Sequence, residues 1–184
     1  MEITFELSEE DLGFFREVML KSRARTGGLD ESAVVESARQ LLQRIAGSDT
    51  SDFIRERMSR LETLIGMLVD TAWGMEDEDR SRVLQALAYF SDPEDLVPDD
   101  VPGLGFLDDA IMIELVCREL LHEIQAYRDF CADRAAESGR LGEEALPPGR
   151  SNWLEERRQQ LHSRMRRRRR QGKSGGGHSP FSLF

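Results

Sequence analysis

The chain lacks most of what marks secreted, membrane-spanning or catalytic proteins. Of its 184 residues only two are cysteine. Cys117 and Cys131 stand 14 positions apart in one expected helix. At a rise of ~1.5 Å per residue that is about 21 Å, too far for a disulfide, so both read as buried thiols in a reducing cytoplasm. Long apolar runs are also missing. The longest uncharged stretch of helical pattern, Thr63 to Val69, falls far short of the ~20 residues a spanning helix needs, and a soluble cytoplasmic protein is expected. The opening MEITFELSEEDLG has neither the basic nor the apolar segment of a secretory leader, so none is expected. Alternation of the β type is confined to Ile3-Thr4-Phe5, and no repeat of solenoid period occurs. There is no Gly-x-Ser-x-Gly elbow, no phosphate-binding glycine loop and no His-Glu-x-x-His. Catalysis therefore has no sharp support, and no cofactor is expected.

What the chain does have is charge, unevenly placed. It carries 25 basic and 35 acidic residues, a net of −10. Residues 150–184 hold nine Arg and one Lys against Glu155 and Glu156, a balance of +8, so residues 1–149 carry −18. An acidic body with a basic tail is the main compositional fact.

The body reads as helix throughout. Ser8 caps a first helix with Leu12, Phe15 and Met19 at helical spacing, stopping at Gly27-Gly28. Asp30 caps a second, with Val34, Val35, Ala38, Leu41, Leu42 and Ile45 on one face and Gly47 as its stop. Ser51 or Asp52 caps a third, whose Ile54, Met58, Leu61, Ile65, Leu68 and Ala72 form a seam that wants a partner, with Gly74 as its end. A fourth starts at Glu76 to Asp79 and runs through Val83, Leu84 and Leu87 to Phe90. The longest is expected over Leu107 to Ser138, with Ala110, Ile113, Cys117, Leu120, Ile124, Tyr127 and Cys131 stepping by three and four. The fold class is all-α, a bundle of about five helices over residues 1–140. A Gly/Pro-containing linker follows at 141–150, then an arginine-rich helix at 151–171 and a disordered tail at 172–184 with an apolar end.

Between the fourth and fifth helices lies YFSDPEDLVPDDVPGLGFLDD, residues 89–109, with three of the six prolines and seven carboxylates. Asp92-Pro93, Val97-Pro98 and Val101-Pro102 each interrupt a regular helix. Pro102-Gly103 suits the centre of a type II turn, and Gly105 lets backbone approach a neighbour closely. Leu107-Asp108-Asp109 open the next helix with their charges at its positive end. The stretch reads as a rigid, acidic corner. Tyr89, Pro93, Asp95, Leu96, Val97, Pro98, Asp99, Pro102, Gly105, Asp108 and Asp109 fall in order on a pattern of Tyr-x-x-x-Pro-x-Asp-Leu/Ile-Ile/Val-Pro-Asp, a proline turn, and Gly-x-x-Asp-Asp. That pattern resembles the signature of the YkvA-like family, a bacterial domain of unknown function, and covers about residues 83–113. The resemblance implies no reaction. It implies membrane association for many members, through an apolar segment after the signature; here Glu114, Arg118 and Glu119 interrupt that segment.

The carboxylates of the corner, Asp95, Asp99, Asp108 and Asp109 above all, are hard oxygen ligands of the kind Mg²⁺ or Ca²⁺ prefers, but carboxylates there also cap turns without an ion, and their spacing is not that of an EF-hand. A structural joint is the expected role. Glu119-Leu-Leu-His122 matches half of a di-iron motif and has no second half. The strongest binding signal is the tail. Trp153, Arg157, Arg158, Arg164, Arg166, Arg167, Arg168, Arg169 and Arg170 suit a polyanion, with nucleic acid first, an anionic membrane second, and the acidic body itself as a third docking place. Phe181-Ser182-Leu183-Phe184 resembles the end of the peptide by which bacterial proteins bind the sliding clamp, and is a candidate docking peptide. The function expected is a non-catalytic helical interaction module, cytoplasmic or peripheral at the inner face of the membrane. A peripheral membrane protein and a divalent-metal enzyme are the alternatives.

Overall fold

The computed structural model describes residues 6–26, 30–48, 50–92, 105–141 and 150–174. Among them lie seven α-helices and no strand: α1 (Glu9–Thr26), α2 (Glu31–Ala46), α3 (Asp52–Val69), α4 (Asp77–Leu87), α5 (Leu107–Glu119), α6 (Leu121–Leu141) and α7 (Arg150–Ser174). A 3-10 turn, Ala88–Ser91, follows α4 directly. The all-α bundle is what the chain forms.

The caps act where the residue types place them. The Asp11 N–H bonds to Ser8 Oγ at 3.2 Å while the Asp11 carboxylate accepts from the Ser8 N–H at 2.8 Å, a reciprocal cap. The Asp30 carboxylate accepts from the Ala33 N–H at 2.8 Å, and Ser51 Oγ from that of Ile54 at 3.4 Å. Gly47 closes α2.

Three boundaries differ from expectation. α3 stops at Val69, short of Gly74, because the Asp70 carboxylate takes the N–H groups of Ala72 and Trp73 at 3.0 and 3.4 Å. Such a side-chain turn offers the backbone an alternative to continued helix. Gly74 then supplies a left-handed φ of 54° in the turn that follows. The fourth helix ends at Leu87 and tightens into the 3-10 turn that carries Tyr89 and Phe90. The expected helix Leu107 to Ser138 is two helices, which meet at Leu120 with φ −99° and ψ 20°. The bonds from Leu120 N–H to Val116 O (3.0 Å) and from Ile124 N–H to Leu120 O (2.9 Å) persist, so the chain changes direction without a loop. No proline or glycine stands there; the fully buried Leu120 side chain marks the bend as a packing feature.

The core lies between α3 and α5, with α2, α4 and α6 around them. α3 buries Ile54, Met58, Leu61, Leu64, Ile65, Met67 and Leu68. α5 buries every residue from Asp108 to Cys117 except Glu114, more than the expected seam of Ala110, Ile113 and Cys117, because it is enclosed on nearly all sides. Glu114, the exception, receives Arg60 and Arg57 from α3, the latter at 3.4 Å. α1 packs chiefly on the 3-10 turn. α7 packs on α6, and its buried Leu161 and Met165 belong to the same apolar cluster as the body.

Candidate functional site

The two candidate regions are the corner and the arginine helix. The expected turns at Pro93, Pro98 and Pro102, and the signature positions Asp95, Leu96 and Asp99, lie outside the described residues. The flanks of the corner are described and they meet. Tyr89, buried in the 3-10 turn, donates its hydroxyl to Asp108 Oδ2 in the first turn of α5 at 3.5 Å. Asp92 closes the 3-10 turn through its N–H to Tyr89 O at 3.1 Å, and its buried carboxylate takes the Arg25 guanidinium of α1, with Nε at 2.9 Å. Gly105 is buried. The left-handed residue at the start of α5 is Phe106, with φ 65° and ψ 12°. Tyr89, Gly105, Asp108 and Asp109 are thus all buried at this joint. Among the described residues no group of three His, Cys, Asp or Glu side chains is placed to hold a metal ion. Glu119 ends α5 and His122 stands in the first turn of α6, so the bend at Leu120 separates that pair.

Cys117 is buried and its thiol is pushed up to about 12, mainly by desolvation, which removes it as a nucleophile. Cys131 is half-buried on α6, not on the same helix as Cys117.

The arginine helix lies antiparallel to α6. Arg157 Nε meets Asp133 at 2.7 Å, Arg164 approaches Asp129 at 3.9 Å, and Arg169 reaches Glu123 at 3.3 Å. Arg169 also pairs with Asp79 and, at 3.0 Å, with Glu78 at the start of α4. Asp79 is 2% exposed and Glu123 1%, and Arg82 of α4 supplies Glu123 with a second cation. Burial alone would lower the Arg169 pKa; its bonds to Asp79 and Glu123 outweigh that and raise it. Arg166 bonds to Glu76, whose carboxyl is held below its ordinary value chiefly by that bond. His162 is buried edge-on against Trp73, ring centres 4.2 Å apart, in a box that Phe130 and Tyr127 complete. Arg158 pairs with Glu155 within α7.

The nine residues expected to meet a polyanion therefore divide. Arg157, Arg166 and Arg169 face the acidic body, Arg158 is half-buried and paired with Glu155 of its own helix, and Trp153, Arg164, Arg167, Arg168 and Arg170 remain exposed. The inward network of Asp79, Glu123, Arg82 and His162 is absent from the sequence reading. Its one signal is that Leu161, Met165 and Arg169 step by four along a single face, which makes the arginine the continuation of an apolar stripe. The C-terminal Phe181 to Phe184 lies outside the described residues.

A family model for a protein of unknown function (DUF1232) matches residues 80–115, from α4 through the corner into α5. The uncharacterized membrane protein YkvA of Bacillus subtilis (strain 168) is 32% identical over 79 residues, which cover 40% of this chain and 73% of that protein. No solved structure matches the chain. The family match spans the joint formed by Tyr89, Gly105, Asp108 and Asp109, and with the likeness to YkvA it assigns the chain: it belongs to the YkvA-like family of proteins of unknown function.

Proposed function

We propose that the chain is a non-catalytic helical module that docks on an anionic membrane surface through the outward face of α7. One observation carries this: after three arginines of α7 have met the acidic body, Arg164, Arg167, Arg168 and Arg170 are left facing solvent with Trp153 at the same helix's start. Each exposed arginine near an anionic leaflet is worth about 1 kcal/mol, and a tryptophan ring suits the headgroup layer. The relative is named a membrane protein, and no helix among the described residues is long and apolar enough to cross a membrane, so contact at the surface fits both facts.

Nucleic acid is the second reading, favoured by the run Arg166 to Arg170. Its footprint is shortened by the engagement of Arg166 and Arg169 with the body. Sedimentation of the full chain with vesicles of phosphatidylserine, against neutral phosphatidylcholine vesicles and against single- and double-stranded DNA, separates the two. Docking predicts salt-sensitive binding to the anionic vesicles that falls in the triple variant Arg167→Gln/Arg168→Gln/Arg170→Gln. Binding to DNA alone would give the site to nucleic acid, and binding to neither at low salt overturns both.

A further inference from the structure

We infer that the groove between α6 and α7 contains a phosphate subsite built from His122, Arg164 and Arg168, which rests on the anionic-surface reading and names the group that surface presents. A shallow notch of about 10 Å³, room for little more than one water, lies there, lined by His122, Ala126, Asp129, Leu161, Arg164 and Arg168. Nδ1 of His122 is buried and has no hydrogen-bond partner, a state that folded proteins generally avoid. Arg168 is exposed and has no carboxylate partner among the described residues. Among the described residues Arg164 has only Asp129 as an acidic partner, at 3.9 Å, beyond hydrogen-bonding distance. The spacing of four puts both guanidinium groups on one face of α7, and two such planar forks suit the tetrahedral oxygens of a phosphate.

The notch is too narrow to engulf a phosphate, so one oxygen would enter toward His122 while the others stay at the mouth with the arginines. Leu121, beside His122 in the chain, is 47% exposed, an apolar neighbour that a phospholipid headgroup would find and a soluble phosphate would not need. Asp129 is the opposing term. It stands on the same rim and competes for Arg164, so an incoming anion has to displace it. A purely structural role for these residues would make Asp129 a stabilising partner; a phosphate subsite makes it an obstacle.

The test is a titration of the full chain with inorganic phosphate, against chloride at matched ionic strength, read from the imidazole resonances of His122. A saturable shift with phosphate alone is expected. Arg168→Gln should weaken it about tenfold, as loss of a charge-assisted bond does. His122→Phe, which removes the reporter and is followed by calorimetry instead, should weaken phosphate binding as well, and Asp129→Asn should tighten it. Arg128→Gln, an exposed arginine of α6 outside the notch, reports the effect of general charge. No saturable shift, or equal loss in Arg168→Gln and Arg128→Gln, overturns the subsite even if phosphatidylserine vesicles bind. A phosphate shift without vesicle binding leaves the subsite standing and removes the membrane reading. Vesicles of phosphatidic acid preferred over phosphatidylserine at equal charge would mark the phosphate as a lipid's; equal binding, with the phosphate shift present, supports the subsite for a soluble phosphate.

Discussion

Phe106 carries the backbone strain of the corner. Its φ of 65° is left-handed, a region that costs a residue with a Cβ of order 1–3 kcal/mol. The ring that offsets this is 4% exposed and lies under the Arg44 guanidinium, 5.9 Å from its centroid. From the sequence the conformational freedom at this point belongs to Gly105; the structure gives the left-handed position to its neighbour. A specific inversion should result. Phe106→Ala removes the ring and keeps the strain, whereas Phe106→Gly removes the same ring and relieves it. The glycine variant should therefore be the more stable of the two by about 1 kcal/mol in urea unfolding, the reverse of the usual order of alanine and glycine in helical proteins. An alanine variant as stable as or more stable than the glycine one would show that Phe106 is unstrained.

At the scale of elements, α7 is held by few apolar side chains and many charges, and its pH response follows from His162. The imidazole faces Glu76, 3.9 Å from Nδ1, and Asp79 of α4, with Glu123 of α6 in the same lining and Arg158 and Arg166 on its own helix. Burial is the largest influence and lowers its pKa from 6.5, with Glu76 and Asp79 opposing. Above 6.5 the imidazole is neutral folded or unfolded, and its contribution is whole. As pH falls below that, the unfolded chain binds the proton first, so stability declines until the folded imidazole is protonated too. The Glu76 contribution, a depressed carboxylate, is lost only lower, as pH falls below 4.5. The melting temperature should thus fall as pH drops below 6.5, and His162→Gln should flatten that slope; an unchanged slope would clear His162 of the effect. Elements as such were legible in the sequence, since Asp30, Ser51 and Gly47 carry their cap chemistry locally. The bend at Leu120 and the all-round burial of α5 were not, because both are set by neighbours distant in the chain and leave no breaker or periodicity behind. The inward half of the arginine helix was illegible for a related reason: one charge run holds Arg169, which ends beside buried carboxylates, and Arg168, which ends in solvent.

At the scale of the whole molecule, the basic helix offsets part of the acidic body's charge through several ion pairs, of which one set is buried. Exposed pairs such as Arg157 with Asp133, each about one-third exposed, contribute about 0–1 kcal/mol. Arg169 differs, because Asp79 is buried and would be left without its cation if the arginine were removed. Breaking a buried pair from one side typically costs about 3–5 kcal/mol. The Arg169 side chain keeps 16% exposure and Glu123 retains Arg82, so the lower end, about 3 kcal/mol, is expected for Arg169→Met. Asp79→Asn should cost less, since Arg169 keeps Glu123 and Glu78. The double variant should be more stable than the sum of the two losses predicts, by more than about 1 kcal/mol, because removing both ends leaves no unpaired charge. A spectroscopic readout tells docking from global stability. The chain has two tryptophans, so in a Trp153→Phe background the buried Trp73, against which His162 of α7 packs, reports alone. If α7 can leave an intact body, the Trp73 emission of Arg169→Met should shift to the red at temperatures below the loss of helical circular dichroism. If the two transitions coincide, α7 is an integral helix of the bundle and Arg169 stabilises the whole fold instead of the seat of one element.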